Sequence, residues 1–109
     1  MKKLGPVTKL LREARARIRK GWTFAVLARD ARGIPVKPRS PKAVAWCALG
    51  AIDAGMEPLR VRKEARQLLG ECVPDLSTTA SYNDGRDRTR FEMTALFTRA
   101  ARVAARRGL

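Results

Sequence analysis

The stretch from Pro41 to Ala54 constrains the fold most. Val44, Trp46, Cys47, Ala48, Leu49, Ala51 and Ile52 leave it almost without polar positions. A helix that is apolar all round has no solvent face, so it must lie at the centre with other elements against it. Ser40 is a good N-cap and Pro41 suits the first helical position. Residues 41–54 therefore predict a central buried helix, ended by Gly55. Gly50 and its alanine neighbours let a second backbone approach closely.

The partners of that helix follow from periodicity. Val7, Leu10, Leu11, Ala14 and Ile18 recur at helical spacing, predicting a helix over 6–20 with Gly21 as its stop. Pro58 opens another that runs to about Leu69, with Gly70 as the residue after it. A shorter helix is expected near 75–82. Thr89 and Glu92 fit a capping box for a last helix ending near Arg107, with Met93, Leu96, Phe97, Ala100, Val103 and Ala104 on one stripe. Between these segments, Thr23, Phe24, Val26 and Leu27 have strand propensity. Arg29 to Gly33 supplies turn chemistry, and Pro35 confines a second arm to an edge. The expected fold class is mostly α: a compact bundle of three long helices plus one short helix, with a small β-hairpin near residues 23–37. Residues 1–109 are read as a single domain with a flexible N-terminus at 1–5.

Charge decides which functions are open. The 109 residues hold 24 Lys+Arg against 10 Asp+Glu, a formal net charge of +14. Hydrophobic residues at 45% are too many for a disordered basic tail. The absence of His excludes zinc fingers, Ser-His-Asp triads and Cys-His pairs. Asp30, Asp53, Asp84 and Asp87 lie among arginines without metal-ligand spacing. No metal, cofactor or catalytic residue is expected, and the chain does not read as an enzyme. No apolar run approaches the roughly 20 residues of a membrane span. The N-terminus has no secretory pattern, so Cys47 and Cys72 read as reduced thiols in a cytoplasmic protein. Trp46 and Cys47 read as core residues.

The cations are clustered. Lys9, Arg12, Arg15 and Arg19 crowd the first helix. Arg60, Arg62, Lys63 and Arg66 form a second group, and Arg99, Arg102, Arg106 and Arg107 a third. Arginine suits bidentate phosphate contact, and such surfaces attract polyanions. The first two clusters are the candidate nucleic-acid-binding residues, and the target is DNA or RNA held through its phosphate backbone. Segments 41–54 and 58–69 also fit a helix-turn-helix outline loosely, with Arg60, Arg62, Lys63 and Arg66 on the reading helix.

A more local site is the loop Asn83, Asp84, Arg86, Arg88 and Thr89, a candidate anion loop before a helix N-terminus. Turn chemistry and capping explain the same residue types. Two alternatives to nucleic acid therefore stand. One is a phage-type accessory or inhibitor protein docking on an acidic protein or ribonucleoprotein. The other is a small-anion or nucleotide-signal binder built on Trp22, Arg29, Asn83, Asp84 and Arg88. The oligomeric state is open.

Gly21-Trp22-Thr23, Ala28-Arg29-Asp30, Trp46-Cys47-Ala48-Leu49-Gly50-Ala51, Tyr82-Asn83-Asp84 and Arg88-Thr89 occur in that order before the closing apolar helix with Ala100. This arrangement resembles a family of small bacterial and phage proteins of unknown function. Its marks are a W-C-A-L-G-A helix and a (W/Y)-N-D-x-x-G-R-T loop. The resemblance spans about residues 7–105 and implies no activity. It departs at Asp87, where the family pattern has Gly before Arg-Thr.

Overall fold

The computed structural model describes residues 3–109. The expected flexible segment 1–5 therefore lies partly outside the described residues. Helix α1 (Pro6–Lys20) starts on Pro6 and ends on a basic turn, Arg17, Arg19 and Lys20, which suits the negative end of the helix dipole. Its stripe of Val7, Leu10, Leu11, Ala14 and Ile18 is buried. It packs most extensively on α5 (Arg90–Arg106), whose Met93, Leu96, Phe97, Ala100 and Ala104 complete the core. The two helices run antiparallel. Arg15 meets Thr98 near their middle, and the Arg19 carbonyl meets Arg90 at the start of α5. Thr89 and Glu92 form the expected reciprocal capping box.

The segment before the buried helix differs from expectation. Residues 41–47 are not helical. Ala45–Trp46 form a short strand, β2, antiparallel to β1 (Ala28–Arg29). Helix α2 covers only Ala48–Asp53. The Ser40-Pro41 pair makes a turn, in which Ala43 N–H donates to the Ser40 carbonyl at 3.0 Å. The reason is the demand of neighbouring backbone. The N–H groups of Val44, Trp46 and Cys47 donate to the carbonyls of Arg29, Gly21 and Leu27. A short apolar run supports strand or helix equally by periodicity, and these long-range bonds decide for strand. The expected hairpin within 23–37 is present and short. Asp30 N–H donates to the Ile34 carbonyl and Val36 N–H to that of Ala28 on either side of the Arg29–Pro35 bridge, while the other edge of Ala28–Arg29 pairs with 45–46.

Gly21 and Gly50 allow close backbone approach around the strand pair. A Cβ on Gly50 would collide with the Leu27 carbonyl, and one on Gly21 with that of Val44. Gly21 has φ −169°, ordinary extended backbone, so it ends α1 by making room and not by a left-handed turn. Asp87, where the resembling family pattern has Gly, does adopt the left-handed region at φ 62°. Asp is among the few L-residues that enter it at all readily, its short polar side chain bonding locally.

Helix α3 (Leu59–Glu71) runs slightly past its expected end and includes Gly70. Helix α4 (Thr79–Asn83) is a five-residue turn capped by the Thr78 hydroxyl. The mostly α architecture with a small antiparallel pair is thus as expected. No described helix is long and apolar enough to cross a membrane.

Candidate nucleic-acid interface

The antiparallel contact of α1 and α5 sets arginines along both banks of a groove. On α1, Arg12, Arg15 and Arg19 recur at i, i+3 and i+7, just beside the buried stripe. On α5, Arg99, Arg102 and Arg106 hold the same spacing. Between the banks the α5 surface is small: Thr94, Thr98, Ala101 and Ala105. Two open hollows result, about 530 Å³ around Arg19, Arg99 and Arg102, and about 380 Å³ around Arg12, Arg15 and Arg102. Thr98, Arg102 and Arg106 line both, so the hollows join into one groove. From Phe91 to Arg106 it runs for about 22 Å at 1.5 Å per residue.

Its electrostatics are one-sided. Among the described residues no carboxylate lies within ion-pair distance of these six arginines. Arg15 lies deepest. Its Nη1 donates to Thr98 Oγ1 at 3.2 Å, while its buried Nε has no partner. Burial lowers the Arg15 pKa from its ordinary value, and the guanidinium groups of Arg19, Arg12 and Arg102 lower it further. A charge held against that repulsion is stabilised by any anion entering the groove. Arg99 differs in part, since its Nη1 reaches the Cys72 carbonyl at 3.4 Å.

The second expected cluster is partly neutralised. Arg62 and Arg66 reach Asp53 at 3.9 and 3.6 Å, and Arg62 Nε donates to the Glu57 carbonyl at 3.0 Å. Arg60 and Lys63 stay exposed. These contacts tie α3 to α2, which holds only six residues. Lys9 is also exposed, but it lies outside the groove lining. The arginines of α5 were visible as a cluster, but their position opposite Arg12, Arg15 and Arg19 was not. Helical phase shows which flank a side chain occupies, and only the tertiary pairing shows what faces it.

The Asn83–Thr89 loop is internally committed. Asn83 is buried. Its Oδ1 accepts from Trp22 Nε1 at 2.9 Å and from Ala48 N–H at 3.0 Å, and its Nδ2 donates to the Thr23 carbonyl and Asp84 Oδ1. Asp84 also accepts from Ala25 N–H, at a residue with φ 69°. Arg88 lies over the Tyr82 ring at 3.6 Å, donates to the Tyr82 carbonyl and pairs with Glu92 at 2.7 Å. Thr89 caps α5. Arg86 remains exposed. Arg29 is spent likewise on Thr23 Oγ1 and the carbonyls of Gly33 and Phe24.

Neither cysteine is bridged. Burial raises both thiol pKa values, and the Cys47 sulfur caps α2 by accepting from Gly50 N–H. Among the described residues no cluster of Cys, Asp and Glu is placed to hold a metal.

The profile of a family described as "Family of unknown function (DUF6197)" matches residues 3–103, and the chain belongs to that family. No curated protein and no solved structure matches it.

Proposed function

We propose that this family member is a nucleic-acid-binding protein that holds a phosphate backbone along the α1–α5 groove, largely without regard to base sequence. One observation carries the reading. Arg12, Arg15, Arg19, Arg102 and Arg106 line a single groove with no carboxylate in reach among the described residues. Arg62 and Arg66, by contrast, share Asp53. A phosphate chain supplies the missing charge, and arginine forks bind its oxygens two at a time. Release of condensed counterions from the strand drives the association. The Thr94 and Thr98 hydroxyls donate back along α5, to the carbonyls of Arg90 and Thr94. Those two hydroxyl protons are therefore committed within α5, and Thr98 Oγ1 also accepts from Arg15 Nη1.

The test is fluorescence polarisation with labelled oligonucleotides as salt is raised to the physiological range. Binding is expected to persist there, and Arg102→Glu to weaken it at least about tenfold, the scale of removing one charged hydrogen bond. Arg60→Glu on α3 serves as a control and is expected to change it little. Binding that vanishes before physiological salt, or that follows Arg60 rather than Arg102, overturns the reading.

A further inference from the structure

Phe91 is 81% exposed, although it lies on the helix that builds the core. It stands at one end of the arginine groove. Phe91, Ala95 and Arg99, at i, i+4 and i+8 on α5, form a ridge that the groove shares with a second hollow on its far side. That hollow, about 130 Å³, is walled by Pro74, Tyr82 and Leu96, with Glu92 at its edge, where Arg88 pairs with the carboxylate. The arginine groove and a mostly apolar recess thus lie on opposite sides of a ridge one side chain wide, and Phe91 stands on that ridge.

We propose that the groove selects unpaired over duplex nucleic acid, and that a base leaving the strand in the groove stacks on Phe91, its edge turned toward the recess. The inference rests on the nucleic-acid reading above and adds the class of strand. In a duplex every base face is already covered by its neighbours, so an aromatic ring at the level of the phosphates meets only sugar and phosphate. In a single strand the base swings free, and the ring offers it a sequence-tolerant stacking surface. Arg99, on the same ridge, holds the adjoining phosphate side. The shared chemistry is an unpaired nucleotide of either sugar.

The experiment compares labelled oligothymidylate, oligouridylate and a hairpin duplex of equal phosphate number, at one salt concentration, on wild type, Phe91→Ala, Phe91→Tyr and Arg102→Gln. At least one single strand is expected to bind about tenfold tighter than the duplex. Phe91→Ala should lower that affinity by about tenfold, the scale of one base–aromatic stack, and leave the duplex unchanged. Phe91→Tyr should restore it, and Arg102→Gln should weaken every probe. The stronger of the two single strands identifies the sugar. Equal affinities for single strand and duplex, with Phe91→Ala silent and Arg102→Gln still effective, overturn this inference and leave the groove reading standing. No binding of any probe overturns both.

Discussion

Asn83 accepts the indole hydrogen bond of Trp22 across 61 residues of sequence, at 2.9 Å. The same oxygen caps α2 at Ala48. One buried amide therefore ties the loop after α1, the start of α2 and the end of α4. Asn83→Ala leaves an indole N–H, a helix N–H and a carbonyl without partners. The expected loss is about 3 kcal/mol or more, at roughly 1–3 kcal/mol per stranded buried group. Urea denaturation measures it. The affinity of the folded fraction for oligonucleotides should be unchanged, and a stable variant with impaired affinity would return this loop to candidacy as an anion site.

Gly50 and Gly70 both lie in helices and predict opposite signs. Gly to Ala in a helix ordinarily gains about 0.5–1 kcal/mol. Gly70→Ala meets only the Thr79 hydroxyl at ordinary contact distance and should show that gain. Gly50→Ala drives a methyl into the Leu27 carbonyl and should cost about 3 kcal/mol, the upper range of overpacking. Thermal melts of the two variants check the contrast.

Much of this fold is written in local pattern. The α1 and α5 stripes and the Thr89–Glu92 box depend only on residues within a few turns, so spacing alone finds them. The run 41–47 misleads because Val44, Ala45 and Trp46 suit helix and strand alike, and the deciding hydrogen bonds come from Gly21, Leu27 and Arg29. The pairing of Arg62 and Arg66 with Asp53 is hidden for the same reason, since Asp53 meets them only after α2 is placed. The groove was half legible. Its α1 bank was a visible candidate, and its α5 bank was a cluster without an address.

Acid should loosen the start of α5. The Arg88 guanidinium, and then the Thr89 backbone and hydroxyl, hold the Glu92 carboxyl below its ordinary value of 4.5. A carboxyl with a depressed folded pKa contributes stability above its unfolded value and loses it as pH falls through the folded value. The contribution is therefore complete above about pH 5 and fades below it. Glu92→Gln should flatten this part of the stability–pH curve. Denaturation midpoints between neutral and acid pH, wild type against variant, give the comparison.

Like charge crowded along one groove opposes folding at low ionic strength. Added salt should raise the melting temperature while it weakens oligonucleotide binding. Arg102→Gln should melt no lower than wild type, within about 0.5 kcal/mol and toward greater stability, as expected for an exposed charge without a partner. A large drop in stability would mean that Arg102 has a structural role.

The most direct measurement is the slope of log affinity against log salt for a single-stranded oligonucleotide, on three proteins. Wild type sets the reference. Arg15→Gln with Arg102→Gln should reduce the magnitude of the slope by about 1.4, at about 0.7 for each phosphate no longer neutralised. Arg62→Gln with Arg66→Gln, the pair already held by Asp53, should leave the slope as it was. Parallel lines for wild type and the groove variant, or a slope that falls only with the α3 pair, would contradict the assignment of the phosphate path to the α1–α5 groove.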